Sequence, residues 1–353
     1  MPKSSLYKGR GASHSPDNRY SDVQRENIDD GWHQGEQAVK LKTQLFIDNA
    51  KKIITYNSSP DVPFDRSINP YKGCEHGCVY CFARPTHAWL DLSPGIDFET
   101  KIFHKPNAPE LLKKELSHKN YKPAPISLGI NTDAYQPAER KLGLTRQCLE
   151  ILVEHKHPVV IVTKSALIER DIDLLVEAAE QQLLRVVVSV TTLDAKLNKH
   201  MEPRTAAPHR RLETIGKLSD AGVPVNVLMA PIIPVLNDSE IENLLTETRK
   251  AGARNAGYVM LRLPHELDEI FMDWLSVYEP LKAEHIMNRI RDLRGGKTYD
   301  SGFGKRMRGE GVFAELIAKR FKLAKQRLAF PGNQALRCDL FTPPPQNGQL
   351  NLL

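Results

Sequence analysis

Cysteine and long apolar runs are both scarce in this sequence of 353 residues. With five cysteines in a chain of this length, a disulfide scaffold is not expected, because such scaffolds occur in short secreted chains dense in cysteine. No stretch reaches the roughly 18 apolar residues that span a membrane, and residues 1–5 do not begin a secretory signal. We therefore expect a cytoplasmic protein whose thiols stay reduced and can bind metal.

Acidic residues are only slightly fewer than basic ones, 43 against 49, but the imbalance is local. Residues 275–330 contain 13 Lys and Arg against 6 Asp and Glu, which accounts for the whole net charge of +6. Such a surface favours an anionic partner, nucleic acid first, although a solvated helix face explains the same composition.

Within this segment, residues 294–309 mix glycine, aromatic and basic side chains. Lys305, Arg306 and Arg308 are our candidates for contacts to nucleic-acid phosphates, with an aromatic residue of the loop stacking on a base. The same loop is equally suited to form a lid over the open side of a barrel.

The cysteines that are present form one concentrated motif. Cys74, Cys78 and Cys81 have the spacing C-x3-C-x2-C, which lets three thiolates of one loop bind three irons of a cubane cluster and leaves the fourth iron open. The alternative is zinc, which prefers four protein ligands, whereas only one histidine lies inside the loop and Cys148 and Cys338 are far away. Cys148 fits a buried position on an amphipathic helix, and Cys338 is assigned no role.

Short apolar runs alternate with amphipathic segments between the two ends of the chain. Continuous apolar runs of this length are typical of strands buried on both faces of a parallel sheet. The predicted strands are residues 124–130, 159–163, 184–190, 223–229 and 257–261, after a strand that leads into the cysteine loop. Helices are expected between them, one with its N-cap at Asn107 and a capping-box Glu110, another over residues 211–221 that ends at Gly222.

This array predicts an α/β fold, a partial (β/α)6 TIM-like barrel. An open doubly wound sheet is the alternative, but it would need a glycine-rich phosphate turn after the first strand, and none is present there. The predicted organisation is a flexible N-terminal arm (1–40), a core barrel (55–275) with its cysteine loop (71–85), a basic C-terminal extension (276–340) and a proline-rich tail (341–353).

Polar side chains follow the predicted strands, at the end where barrels of this kind carry their active sites. Thr132 and Asp133 come after the first clear strand and are suited to bind an ammonium or a ribose, or else form an Asx turn. Lys164 leaves the second strand and is suited to pair with a carboxylate, or else is an ordinary surface lysine. Ser189 ends the third strand and faces either the barrel lumen or a helix.

Two further segments belong to the same end of the barrel. Arg204 is a candidate for binding a carboxylate or phosphate, with Glu202 holding it in place, although a surface ion pair is an equal alternative. Residues 229–234 are apolar and proline-stiffened, and they suit either a wall for a flat adenine or simple core packing.

The cysteine loop places the aromatic Tyr80 directly before its third cysteine, and this pattern resembles the signature of the radical S-adenosylmethionine (SAM) enzymes. Over most of its length the chain resembles the spore-photoproduct-lyase-like, or DNA repair photolyase-like, branch of that superfamily. Besides the cysteine loop, the segments that carry the resemblance are residues 57–61, 67–73, 83–87, 93–99, 131–133, 163–165, 202–204 and 231–234.

The resemblance implies a [4Fe-4S] cluster on the three cysteines, whose open iron binds SAM, and an electron donor that reduces it. Cleavage of SAM would then give a 5′-deoxyadenosyl radical that abstracts hydrogen from a substrate. By resemblance, Tyr80 packs beside the adenine, Thr132 and Asp133 address the SAM amino group, Lys164 its carboxylate, and Ser189 its ribose or methionine portion.

One departure from the family pattern bears on the substrate. The lyase carries a hydrogen-donating cysteine at the position that Ile130 occupies here, so direct reversal of the spore thymine dimer is not expected. A glycine-glycine-glutamate motif is also absent, and residues 131–133 take its place. The hypotheses are a radical SAM enzyme acting on nucleic acid, one acting on a protein side chain or small metabolite, and a non-enzymatic metal-binding module.

The last five residues resemble a docking peptide. Gln349, Leu350, Asn351, Leu352 and Leu353 are similar to the Q-L-[S/D]-L-F peptide by which bacterial proteins bind the DNA sliding clamp, with departures at Asn351 and Leu353. A proline-stiffened tether that ends in apolar residues can engage a groove, so the clamp is a predicted partner, although so short a match also arises by chance.

Overall fold

The computed structural model describes residues 9–20 and 41–345. Its strands are β1 (Gln44–Ile47), β2 (Ile54–Tyr56), β3 (Arg66–Ile68), β4 (Tyr71–Lys72), β5 (Lys101–His104), β6 (Ile126–Leu128), β7 (Val159–Thr163), β8 (Leu184–Ser189), β9 (Val225–Ile232) and β10 (Asn255–Met260). Its α-helices are α1 (Ile96–Thr100), α2 (Ala108–Leu116), α3 (Glu139–Leu142), α4 (Leu144–Glu154), α5 (Ile172–Glu180), α6 (Ala195–Met201), α7 (Pro208–Asp220), α8 (Ile241–Lys250), α9 (Leu267–Tyr278), α10 (Ala283–Asp292) and α11 (Gly311–Arg327).

The larger sheet has the strand order β2-β3-β6-β7-β8-β9-β10. Strand β2 is antiparallel to β3, and every later neighbour pairs in parallel. Six parallel strands therefore follow one another in chain order, which is the winding of a barrel, whereas a doubly wound sheet reverses its order in the middle. The predicted partial (β/α)6 barrel is confirmed.

The strands bury their outward faces more completely than their inward faces. In β7, Val159 and Ile161 are buried in the core beneath the helices, while Val160 and Val162 keep partial exposure toward the lumen. A closed (β/α)8 barrel fills its lumen with layers of branched side chains. Here the lumen is left open, so the inner face of the sheet is available to bind ligands.

Helix boundaries follow the local signals, with two adjustments. Helix α2 begins where predicted, with Pro109 in its first turn, but Asn107 donates its side-chain amide to the Ala50 carbonyl instead of capping the helix. Helix α7 begins at Pro208, three residues earlier than predicted. It ends before Gly222, whose positive φ of 86° is incompatible with a right-handed helix.

Part of the segment for which we expected a flexible arm is packed. Arg10 donates to the Glu99 carbonyl, and the backbone amides of Gly11 and Ala12 donate to the Glu99 carboxylate at 3.0 and 2.8 Å. A buried carboxylate must be satisfied by donors, and this requirement fixes residues 9–20 against the core. The remaining residues of the 1–40 segment lie outside the described part.

The C-terminal extension contains α10 and α11 and then crosses the N-terminal ends of the barrel strands. Backbone amides of Gly332, Arg337 and Thr342 donate to the carbonyls of Arg254, Gln182 and His155, respectively. Residues 332–342 therefore form a strap beneath β10, β8 and β7. Of the proline-rich tail only residues 341–345 are described, so the predicted clamp-binding peptide lies outside the described residues. Among those residues no helix could cross a membrane.

Candidate functional site

A cavity of about 640 Å³ occupies the open lumen and reaches the C-terminal ends of the strands. The three cysteines of the loop line its upper part. With them the structure brings together five of the other predicted site residues, namely Tyr80, Thr132, Asp133, Lys164 and Ser189. Arg204, the sixth, is not among the cavity-lining residues.

A buried ion pair fixes the shape of the cysteine loop. Arg84 contacts Glu99 at 2.5 Å with both side chains fully buried, and its guanidinium also donates to the carbonyls of Gly77 and Cys78. Gly77 has a φ of 67°, and a Cβ there would lie 2.6 Å from the Glu99 carboxylate. Arg84 and Glu99 therefore hold the loop through its backbone, and the thiols take no part in these contacts.

The thiols suit a metal cluster. None of them is in a disulfide, and burial raises the pKa of Cys74 and of Cys78, so bound metal must displace their protons. Within the described ranges, no group of three His, Cys, Asp or Glu side chains is arranged around a single metal ion. Three cysteines of a cubane bind three separate irons, so convergence on one point is not required of them.

Asp133 anchors this loop to the end of β7. Its carboxylate accepts from the Thr163 hydroxyl and the Lys164 amide, both at 2.7 Å, from the Tyr135 amide at 2.9 Å, and pairs with the His76 ring at 3.3 Å. Burial opposes its ionisation, but His76 and these donors lower the pKa of Asp133 to about 2. The hydrogen bond from the Tyr135 amide forms an Asx turn, which the sequence analysis gave as one of two alternatives for this segment.

Thr132 has a similar internal partner. Its hydroxyl donates to the Tyr71 carbonyl at 3.0 Å, which joins the end of β6 to the strand that enters the cysteine loop. Thr132 and Asp133 thus both brace the loop. Their predicted contact to the amino group of a cofactor stays a prediction.

Lys164 and Ser189 lie on neighbouring strands and retain unused polar groups. The Lys164 ammonium lies 5.9 Å from the centroid of the Tyr80 ring and forms no ion pair with any described residue. Ser189 is 1% exposed, and its hydroxyl has no partner among the described residues. Ser189 lines the cavity, so it faces the lumen rather than a helix. A cation and a hydroxyl are therefore available to a ligand held beside the thiols.

The expected pairing of Glu202 with Arg204 is wrong. Buried Glu202 pairs instead with Arg211. It also accepts a hydrogen bond from the Tyr80 hydroxyl, so it fixes the position of the aromatic residue of the cysteine loop. Arg204 pairs with Glu75 at 3.2 Å, outside the lumen. The reason is topological, because α7 turns Arg211 back under the end of β8, where its guanidinium also donates to the Ser189 carbonyl.

The loop containing the three basic candidates spans the open side of the barrel. Gly304 and Arg306 both bind Asp61, and the Met260 amide donates to the Met307 carbonyl. The loop therefore joins the end of β10 to the segment before β3, as the lid alternative predicted.

The other two basic candidates also have partners within the protein. Lys305 pairs with Glu310. Arg308 stacks 3.9 Å from the Tyr258 ring and lines the cavity.

Sequence reasoning missed the charged residues that hold the site together. Arg84 and Glu99 are separated by 15 positions, and His76 is separated from Asp133 by many more. The available signal was a charged residue among apolar neighbours, as for Glu99 after Phe98, but its partner depends on how the chain folds.

The apolar residues singled out in the sequence divide between the cavity and the core. Ile130 lines the cavity, as do Ala230 and Pro231, whereas Ile232 and Ile233 are core residues.

Comparison with known proteins agrees with this geometry. The profile of the radical SAM superfamily matches residues 68–247. An uncharacterised protein of Mycobacterium tuberculosis is 36% identical over 276 residues, covering 78% of this chain and 80% of its own. An uncharacterised protein of Acidianus two-tailed virus is 32% identical over 264 residues, with 72% and 79% covered.

Solved structures agree on the fold. A mutant of spore photoproduct lyase superposes with a TM-score of 0.61 at 16% identity, covering 81% of this chain and 80% of that one. A second mutant, with bound AdoMet and dinucleoside spore photoproduct, has a TM-score of 0.55 at 15% identity over the same shares. The chain therefore belongs to the radical SAM superfamily, and it is an AdoMet-using enzyme with the fold of spore photoproduct lyase.

Proposed function

We propose that this enzyme holds a [4Fe-4S] cluster on Cys74, Cys78 and Cys81 and uses it to cleave SAM, so that hydrogen is abstracted from a substrate in the lumen. The observation that carries the proposal is the shared cavity, in which three free thiols face the unpaired groups of Lys164 and Ser189. When bound, the cluster and SAM supply a 5′-deoxyadenosyl radical.

The protein's own residues have defined tasks in this proposal. Lys164 supplies a positive charge for the SAM carboxylate, and the Ser189 hydroxyl supplies a hydrogen bond that the fold leaves unmade. Tyr80, whose hydroxyl is fixed by Glu202, presents its ring to the same space. The strap crosses below the lumen and the lid loop lies at its side, an arrangement that would limit the access of water to a reactive radical.

The first test is SAM cleavage by the reconstituted enzyme under dithionite, with 5′-deoxyadenosine measured by chromatography. We expect cleavage in the wild type and, because one charge-assisted contact is lost, a roughly tenfold higher KM for SAM in Lys164→Met. Lys305→Met removes a lysine of the lid loop and serves as the control, with an unchanged KM. A loaded wild-type cluster that cleaves no SAM would refute the proposal.

Nucleic acid is the candidate substrate that a specific surface feature favours. Phe303 is 62% exposed on the lid loop, with the Arg306 guanidinium 4.8 Å from its ring, and exposed Lys305 lies beside it. An exposed aromatic ring among basic groups is typical of surfaces that stack a base and contact phosphate. We infer that single-stranded nucleic acid binds here, and that docking of residues 349–353 on the sliding clamp would deliver the enzyme to DNA.

Binding should then depend on salt and on these two side chains. In gel shifts with a single-stranded oligonucleotide, we expect Phe303→Ala to weaken binding by about 1–3 kcal/mol, and Lys305→Ala to lower the salt slope by about 0.7. Arg306 is left intact because it anchors the loop to Asp61. Lys322→Ala, on the exposed face of α11, is the control. Salt-independent binding, or none, would favour a protein or small-molecule substrate.

A further inference from the structure

The lower half of the lumen carries polar groups that SAM chemistry does not use. Arg185, Asn226, Asn255 and Asn333 line the same cavity as the cysteines, at the end that the strap crosses. Along a strand, side chains two residues apart share a face at a spacing of roughly 7 Å. Arg185 therefore lies two such steps, roughly 13 Å, below Ser189 on the inner face of β8.

Arg185 has no negative partner in the described part of the chain. One of its guanidinium nitrogens donates to the Gln334 carbonyl of the strap at 2.6 Å, and no carboxylate forms an ion pair with it. Burial lowers the pKa of Arg185 with no neighbouring charge to offset the effect. A half-buried guanidinium in this situation is stabilised by an anion, and its planar fork matches an oxyanion.

Asn226 is the second unsatisfied group. It is 9% exposed, and its carbonyl oxygen Oδ1 has no hydrogen-bond partner among the described residues. Asn226 pairs in register with Val187, one step above Arg185, and with Asn255 on the other side. Leaving a buried amide oxygen without a hydrogen-bond donor is unfavourable, so the site suits a ligand that brings a donor.

The other residues that line the lower half of the lumen limit what the ligand can be. Val160, Val162 and Val187 form apolar walls around these polar groups, and Asn333 of the strap lines the same end. Because the strap crosses this end, a substrate that enters from the side of the cysteines meets it with a terminal group. SAM does not supply that group, because in the proposed function its single carboxylate lies beside Lys164, near the cysteines.

We propose that Arg185 and Asn226 form a binding site for a terminal oxyanion of the substrate, a carboxylate or a phosphate, that carries a hydroxyl or N–H donor next to it. The oxyanion accepts from Arg185, and the adjacent donor satisfies Asn226. This orientation directs the opposite end of the substrate up the lumen toward Ser189 and the cysteine loop. The identification of the ligand as substrate rests on the proposed function, whereas the site itself does not.

The test is calorimetric titration of the full-length reconstituted protein, without reductant and at constant ionic strength, with sodium phosphate and sodium glycolate in separate arms. Each anion carries a hydroxyl beside its charged oxygens, so each can bind Arg185 and donate to Asn226. Saturating SAM is present so that the anions do not compete for Lys164. We expect at least one anion to bind saturably, and its dissociation constant to rise about tenfold or more in Arg185→Met, because a charge-assisted pair is lost. Binding of phosphate alone identifies a phosphate-bearing substrate, and binding of glycolate alone identifies a carboxylate.

Arg337→Met is the matched control, because it removes an arginine at the same end of the barrel whose side chain is paired with Asp339 outside the cavity. Asn226→Leu, which is nearly isosteric, is a second test in case Arg185→Met folds poorly, and it too should weaken binding. The site is refuted if neither anion binds the wild type saturably, or if the lumen variants bind as the control does. SAM binding, measured separately, shows whether a failure belongs to the cofactor proposal instead.

Discussion

Replacing Cys78 by alanine is expected to abolish the cluster and, with it, SAM cleavage. Cys78 lies on a loop fixed by Arg84 and Glu99, so no other thiol can move into its place without breaking a buried ion pair. Loss of one of three cluster ligands should reduce the rate of 5′-deoxyadenosine formation by about 1,000-fold or more. Iron and acid-labile sulfide content, together with the visible absorbance of the cluster, provide an independent measure.

Cys338→Ala is the control for this experiment. Cys338 is a free thiol on the strap, partly exposed and absent from the cavity lining. Its replacement should leave iron content and SAM cleavage at the wild-type level. If Cys78→Ala kept a full cluster, or if both variants lost it, the assignment of the three loop cysteines as ligands would be wrong.

Arg84→Met is expected to cause a large loss of folding stability. It leaves the fully buried Glu99 carboxylate without its cationic partner, although the amides of Gly11 and Ala12 still donate to it. Removing one partner of a buried pair typically costs about 3–5 kcal/mol. Urea denaturation of the full chain measures this cost. Because Arg84 also binds the carbonyls of Gly77 and Cys78, the variant should take up less iron at a given concentration.

Two controls separate the buried charge from a general effect of losing an arginine. Arg337→Met breaks an exposed pair with Asp339 and should cost less than about 1 kcal/mol. The double variant Arg84→Met with Glu99→Met removes both charges and should recover part of the stability, since a buried pair can often be replaced by apolar groups. If the double variant were no more stable than Arg84→Met, the cost would come from packing or from the lost carbonyl contacts.

Several features of the fold were predictable because they depend on local sequence. The strands β6 to β9 are apolar runs rich in Val, Ile and Leu, and the positions of β6 to β10 agree with the predicted ones to within a few residues. Pro208 and Gly222 mark the ends of α7 by the φ angles that they favour. The winding of the barrel followed from the alternation of strands and helices.

The partners of the polar residues were less predictable. Thr132 and Asp133 were expected either to bind a ligand or to form an Asx turn, and both line the cavity while making hydrogen bonds within the protein. Glu202 pairs with Arg211 rather than Arg204, although all three lie within ten residues of one another. Proximity in sequence does not decide such pairs, because the direction in which α7 leaves its preceding turn decides which guanidinium reaches the buried carboxylate.

By itself the sequence determined that three thiols lie together and predicted a metal cluster on them, because the chain holds three cysteines within eight positions whatever the rest of the molecule does. Only the tertiary structure decided what surrounds them. The open lumen, the inward direction of Ser189 and the unpaired groups of Arg185 and Asn226 depend on how strands distant in sequence lie side by side. The twist and stagger of a sheet set those relations, and no short stretch of residues encodes them.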